Sequence, residues 1–369
     1  MLIIGAGILG LALAEFFSRT PEHGSITIVD GGFALSGSQA AAANLATKGQ
    51  QFARDPHFEL KLRSKKIYAS WLQNLIDEAQ TFGAHLSLAE MFRQGEGLDI
   101  FKNVTDRDHQ FQRVEQPPEQ LEKLGLPTNA ICKLHETQIQ YQDEAWVDAS
   151  VLMQLLRLVL ENRGVKFIEE CLDERSLLSE KMHLLKERDP ILVCTGAWTL
   201  EFLQSMELSL PAALQKSRRL TVGSTVSLKK RSQSPDFCLV DLVGHAGRTK
   251  VTLSGNDEET HVSSTTLRIE NKESFDEEMR KTLQTLDDTM LNSALQFMQG
   301  TDAPVEEGFA HEDILHHKTG MRIGFGHSEL VAVKLDETFE GHPLLVCAGA
   351  HKSGFLFAPV IGEVISQVL

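Results

Sequence analysis

The sequence predicts an α/β fold, α+β over the whole chain, and three observations carry that expectation. Residues 1–30 read as strand, glycine turn, helix and strand. Two later apolar runs, ILVC at 191–194 and LLVCAGA at 344–350, read as buried strands that each lead into a glycine. Residues 215–310 read as a separate β-rich segment with one helix over about 274–299.

The elements follow in order. Residues 1–4 are a short β-rich run, and apolar residues recur at helical spacing between 8 and 19. ITIVD at 26–30 is the second strand, which completes a β-α-β unit. The chain begins directly on the first strand, so no domain is expected before it. Residues 37–48 are alanine-rich, and a charged helix is expected over about 56–79, with Leu60, Ile67, Trp71 and Leu75 on one stripe. Residues 81–140 are mixed and polar, broken by Pro117, Pro118 and Gly125. An amphipathic helix follows over 146–164, with Asp148 or Ser150 as its cap and Gly164 as its stop. VKFIEE at 165–170 reads as a strand, and residues 359–369 as a closing helix.

A chain of 369 residues is long enough for two or three domains. The division expected is residues 1–85, 144–214 and 310–369 in one domain, and 86–143 and 215–309 in the other, β-rich one. A charged fraction of 24% and a hydrophobic fraction of 42% place the chain among ordinary globular proteins and exclude a fibrous or disordered class. The net charge of −15 opposes loose binding to nucleic acid, which needs clustered Lys and Arg. Cys132, Cys171, Cys194, Cys238 and Cys347 are scattered and form no CxxC pair. Neither a disulfide framework nor a metal site is expected, and a reducing cytoplasm fits. The apolar start lacks a basic flank and is interrupted by Glu15, so it reads as strand and helix rather than as a leader. It is too short to span a membrane, and no later stretch looks membrane-spanning.

Gly5-Ala6-Gly7-Ile8-Leu9-Gly10 fits G-x-G-x-x-G. The first glycine permits the tight turn, the second lets a pyrophosphate approach the backbone, and the third lets helix and strand pack. The helix start at Ile8 and Leu9 then points unbonded N–H groups at the phosphates. Asp30, followed by Gly31, ends the second strand, where an acid accepts hydrogen bonds from the ribose hydroxyls. Strand, turn, helix, strand and acid in this order predict a Rossmann-type dinucleotide site. The unit alone does not separate FAD from NAD.

Three further segments, with this unit, resemble the D-amino-acid oxidase and glycine oxidase family of flavoenzymes. GSQAAAAN at 37–44 resembles the family's segment along the flavin pyrophosphate, which points to Ser38, Ala42, Ala43 and Asn44. PILVCTGAW at 190–198 resembles its late strand, which points to Thr195, Gly196 and Trp198. CAGAHKSGFLFAPVIGEVISQVL at 347–369 resembles its closing motif, with Gly349, Lys352, Ser353, Gly354, Phe355 and Leu356 near the isoalloxazine. The resemblance implies non-covalent FAD, since no cysteine adjoins Arg322, and hydride transfer from a substrate amine to flavin N5.

In that family no acid–base dyad is needed, but a cation for the substrate carboxylate is. Gly320-Met321-Arg322 resembles the family's G-x-R, whose arginine clamps that carboxylate; the other reading is an arginine in a surface loop, since IGFGHSEL departs from the pattern. Lys352 is a candidate contact to substrate or flavin, or a solvated turn residue, and His351 reads as structural. Ala43 stands where the family has glycine. No tyrosine follows Tyr141, so the tyrosine that assists the carboxylate has no counterpart; His245 either replaces it or is a loop histidine.

IQYQDEAWVDASVL at 139–152 is also similar to the FAD domain of the bifunctional enzyme that oxidises a carboxymethylaminomethyl group on a tRNA wobble uridine. The expected activity is therefore oxidation of the amine of a small amino acid or an N-substituted glycine. The tRNA substrate is the alternative, with Lys216, Arg218, Arg219, Lys229, Lys230 and Arg231 as its basic face. A flavoprotein subunit without turnover of its own and a hydroxy-acid or glycerophosphate dehydrogenase also remain open. The oligomeric state is not legible.

Overall fold

The computed structural model describes residues 1–369 apart from 21–23, 33–34, 47–56, 115–132, 135, 187–188, 216–217, 230–238, 247–248, 257, 264–266, 271–274, 300–313 and 327–329. Pro117, Pro118, Gly125, Lys216, Lys230 and Arg231 lie outside the described residues, as does the side chain of His245. In chain order the described strands are β1 (Leu2–Ile4), β2 (Thr27–Asp30), β3 (Phe92–Phe101), β4 (Lys133–Leu134), β5 (Gln138–Val147), β6 (Lys166–Glu169), β7 (Ile191–Val193), β8 (Arg218–Lys229), β9 (Leu239–Ala246), β10 (Thr249–Gly255), β11 (Glu259–Ser263), β12 (Leu267–Ile269), β13 (Ile314–Phe325), β14 (Val331–Phe339) and β15 (His342–Ala348).

They form two sheets. The first has the order β14-β15-β7-β1-β2-β6. It is parallel from β15 to β6, and β14 closes it as an antiparallel edge. Its central strands β1 and β7 are apolar at every position and buried on both faces, as a parallel sheet between covering layers requires. The helix Ile8–Ser18 follows β1 and packs on the helices Ala149–Asn162 and Ile361–Ser366. The helix Ala149–Asn162 starts where expected: the Asp148 carboxylate accepts from the Val151 N–H at 2.9 Å, one of the donors a helix start leaves unbonded.

Glu15, the charge inside the apolar start of the sequence, is buried under this layer. It accepts from Arg19 and Arg163 and from Trp71 Nε1 at 3.2 Å. One carboxylate thus ties three helical segments together. Glu15→Ala leaves buried donors without an acceptor and is expected to cost about 3 kcal/mol, read as a lower urea midpoint at an unchanged m-value.

The second sheet runs β12-β8-β11-β10-β9-β3-β5-β4, with β13 along the other edge of β8. Its central strands alternate. Val226, Leu228, Val240, Leu242, Val251, Leu253 and Val262 form a buried apolar face, covered by Met290, Leu291 and Ala294 of the helix Glu277–Gln299. The opposite, polar face turns toward the first sheet's loops.

Two features differ from the sequence reading. Residues 314–325, inside the stretch assigned to the first domain, form β13 and pair with β8 from Ile314↔Leu228 to Phe325↔Arg218. A long β8 needs a partner on each edge, and β13 supplies one that local pattern does not reveal. We therefore propose that the closing block of the first domain starts at β14. The closing helix also begins earlier, as Gly354–Phe357, a 3-10 turn at Ala358–Val360, and Ile361–Ser366. Pro359 has no N–H to continue an α-helix, which breaks the run. No described helix is long and apolar enough to cross a membrane.

Candidate active site

The loops at the carboxyl ends of β1, β2, β7 and β15 meet the polar face of the second sheet around a cavity of about 570 Å³. Such a crevice at strand ends is where open α/β sheets place ligands.

The first wall is the glycine turn. Gly5 has φ +104°, open to glycine alone at low cost, and a Cβ there would come within 2.5 Å of the Cys194 carbonyl oxygen. At Gly10 a Cβ would overlap the Gly5 carbonyl oxygen, so this glycine lets helix and turn pack; it does not line the cavity. Gly7, Ile8 and Leu9 do line it. Gly7 is extended (φ −68°, ψ 174°), and its missing side chain leaves open the space before the helix start. The Ile8 N–H donates to Ser38 Oγ at 3.0 Å, and the Ala6 N–H to Asp30 Oδ1 at 3.0 Å. The Gly32 N–H donates to the other Asp30 oxygen at 3.3 Å, across Gly31. The acid is thus held at the mouth of the turn by two backbone donors.

The second wall is the alanine-rich segment. A Cβ on Gly320 would come within 2.7 Å of the Ser36 carbonyl oxygen, and one on Gly37 would overlap the Met321 carbonyl oxygen. The Met321 N–H donates to Leu35 O at 2.8 Å. These two glycines therefore lock the segment onto β13 beside Arg322. Ala42, Ala43 and Asn44 continue along the cavity, and Asn44 bridges to Trp146 of β5. Ala43 has φ +49°, a left-handed conformation that explains why glycine suits this position. Ala43→Gly should relieve that strain and, net of the added chain entropy, stabilise the protein by about 0.5 kcal/mol. A higher urea midpoint with flavin content unchanged would show it.

Thr195, Gly196 and Trp198 line the cavity after β7, in a 3-10 turn that Thr199 Oγ1 ties back to Gly196 O at 2.8 Å. The last wall is the turn after β15, with Gly349, Ser353, Gly354, Phe355 and Leu356. The helix Phe58–Thr81 braces it from behind. Tyr68 Oη donates to Phe355 O at 3.0 Å, Ser64 Oγ donates to Leu356 O, and Lys61 Nζ lies 5.6 Å from the centre of the Phe357 ring. Sequence reading missed this brace, because its residues alternate with charged ones on a helix that scans as a solvated surface.

Arg322 stands on β13 opposite Thr221 of β8 and lines the cavity. It is not on a surface loop: burial pulls its guanidinium pKa below the usual arginine value. His351 lies against Gly324, with Nε2 3.4 Å from Thr221 Oγ1. Burial first, then the charges of Arg322 and Lys352, push its pKa down to about 3. It is neutral at any physiological pH and too weak a base to hold a proton from a substrate. Lys352 is exposed at the cavity edge. Tyr141 donates instead to Asp99 at 2.9 Å and is not part of the cavity wall.

Residues 1–368 match the DAO family of FAD dependent oxidoreductases. The chain belongs to this family. The bifunctional protein ThiO/ThiG of Synechocystis sp. is 37% identical over 236 residues, 58% of this chain and 33% of that protein, so the match spans about a third of the relative's length. Among solved structures, glycine oxidase from Geobacillus kaustophilus superposes with a TM-score of 0.67 at 13% identity, over 100% of this chain and 93% of that one. Iminodiacetate oxidase from Chelativorans sp. BNC1 gives 0.66 at 17% identity, over 100% and 94%. At these identities the superpositions speak to the fold. Family membership makes this chain an FAD-dependent oxidoreductase. The cradle fits that cofactor: an open glycine turn, a helix start and an acid at the second strand are the groups a dinucleotide requires.

Proposed function

We propose that this DAO family member oxidises the amine of a small amino acid or an N-substituted glycine. The observation that carries this reading is Arg322, a half-buried guanidinium in the wall of the same cavity as the glycine cradle. A guanidinium in a cavity wall presents a planar fork of donors, and that fork suits a carboxylate.

In this reading Gly5, Gly7, Ile8 and Leu9 receive the FAD pyrophosphate, with Gly10 behind them. Asp30 takes the ribose, and Ser38 and the alanine segment run along the dinucleotide. Thr195, Gly196 and Trp198 and the turn from Gly349 to Leu356 border the isoalloxazine. When bound, the flavin supplies the two-electron acceptance that side chains lack. The chain's own residues do the rest. Arg322 fixes the carboxylate and so the orientation of the amine-bearing carbon, the second sheet excludes water, and neutral His351 adds no competing charge. Lys352 adds positive potential at the edge.

A tRNA-borne amine is the second reading. Arg218 and Arg219 favour it, because both are exposed at the start of β8 and the charge of Arg219 reaches His351. The test is the product. Turnover of glycine or N-methylglycine with an artificial acceptor should release glyoxylate. If only tRNA yields glyoxylate, the second reading replaces the first; if no amine yields a carbonyl product, both are wrong.

A further inference from the structure

A second, much smaller cavity adjoins the alanine segment. Gln39, Ala41, Ala42 and Thr225 border both it and the main cavity, so the segment forms part of the partition between them. The rest of its wall comes from Trp146 near the end of β5, from the start of the helix Ala149–Asn162, and from the polar face of the second sheet. On that face Ser227 of β8 and His261 of β11 stand directly opposed. Backbone pairing fixes Trp146 here. The Leu45 N–H donates to Ala145 O at 2.8 Å and the Val147 N–H to Ala43 O at 3.3 Å, one residue to each side of it.

Two atoms in this wall are buried and, among the described residues, have no hydrogen-bond partner: Trp146 Nε1 and His261 Nε2. Trp146 is 0% exposed, and an indole N–H can only donate. His261 is engaged through its other nitrogen, with Nδ1 3.2 Å from Ser227 Oγ. Glu259 Oε2 lies 3.6 Å from Nε2, beyond hydrogen-bond length. Burial, the largest cause, pushes the His261 pKa down to about 4, so the ring is neutral and forms no ion pair there at neutral pH. Folded proteins seldom leave such buried groups unpaired, and an ordered water is the usual partner where side chains fail.

Size and charge select the occupant. A volume of about 10 Å³ admits a single molecule of water's size. Asp148 and Lys318 stand in the same wall and act on His261 in opposite directions, so neither a cation nor an anion is favoured. Trp146 also opposes a cation, because its N–H points positive charge at it.

We propose that this cavity is a binding site for one water molecule, which accepts from Trp146 Nε1 and pairs with His261 Nε2. Water serves either form of the neutral imidazole, since it donates to a bare Nε2 and accepts from a protonated one. The water bridges β5 to β11 beside the alanine segment, whose end is already paired with β5. The site stands whatever substrate the main cavity takes.

A high-resolution crystal structure of the native holoenzyme tests this without any variant. A peak of water size should lie at hydrogen-bond length, roughly 2.7–3.2 Å, from both Trp146 Nε1 and His261 Nε2. In solution, nuclear magnetic resonance of protein with isotope-labelled indole nitrogens supplies a second readout. The Trp146 N–H should show a cross-peak to the water resonance with the sign of a long-lived contact. Trp71, whose Nε1 donates to Glu15 at 3.2 Å, is the internal control and should show none. Trp146→Phe keeps the ring and removes the donor, which identifies the resonance and should weaken or abolish the crystallographic peak. A dry site overturns the proposal, as does a Trp146 N–H turned onto the His261 ring or a protein oxygen without a water cross-peak. A peak unchanged in Trp146→Phe also overturns it. A bromide signal at the site in crystals soaked in that salt would make the occupant an anion and likewise overturns it.

Discussion

Gly7→Val is expected to give folded protein that retains almost no flavin. Gly7 is extended, a conformation valine adopts readily, and a Cβ there meets only Ser38 Oγ at 3.1 Å, a side-chain atom that can turn away. The fold has no reason to fail. The new methyl groups occupy the space before the helix start, where the pyrophosphate must touch the backbone. Flavin absorbance per mole of protein should fall close to zero while the far-ultraviolet circular dichroism is kept. Retained flavin in this variant would mean that the turn does not hold the cofactor. Gly10 makes the contrast: its Cβ would overlap the Gly5 carbonyl oxygen, so a substitution there should abolish folding itself.

Arg322→Ala should separate substrate binding from cofactor binding. The arginine belongs to β13 of the second sheet, whereas the cradle belongs to the loops of the first. Removing the guanidinium takes away a charge-assisted, two-pronged contact in a half-buried setting, worth about 2–4 kcal/mol, or roughly 30- to 1,000-fold in apparent substrate affinity. Flavin content should be unchanged. A substrate titration of flavin reduction checks both at once. Unaltered affinity in this variant would place the carboxylate elsewhere, and Lys352 would become the next residue to examine.

The glycine turn and acid that line the cavity, the proposed cofactor cradle, were legible in the sequence because their constraints are local. A strand, a glycine turn, a helix and an acid lie within 30 residues, and each has a backbone reason to be what it is. The alanine segment was legible for a similar reason, and the departure at Ala43 acquires a meaning in the structure, since φ +49° is the conformation that favours glycine there. The family resemblance also singled out Arg322, although pattern alone could not tell a cavity wall from a loop. That distinction rests on β13 pairing with β8, a contact between positions about a hundred residues apart, which no local period encodes.

The polar wall that the second sheet gives the cavity was illegible for the same reason, despite a clear local signal. The alternation in TKVTLSG and ETHVS marks strands with one apolar and one polar face. A polar face normally reads as solvent-exposed, and only the register across β8, β11, β10 and β9 shows that these polar residues are buried around a ligand space. Glu15 taught the same lesson on a helix. The lone charge in an apolar run is visible locally, but two of its three partners, Trp71 and Arg163, come from distant segments.

The central claim is that this FAD-dependent enzyme takes its electrons from an amine held by its carboxylate at Arg322. The most direct measurement is anaerobic mixing of the purified holoenzyme with glycine, N-methylglycine, D-alanine, D-proline and bulk tRNA, in native protein and in Arg322→Ala, with the visible flavin band followed in time. The account predicts that at least one amino acid bleaches the native flavin and that the variant needs far higher concentrations of it. A yellow native protein that no amine reduces, but that a hydroxy acid or glycerophosphate bleaches, would contradict it.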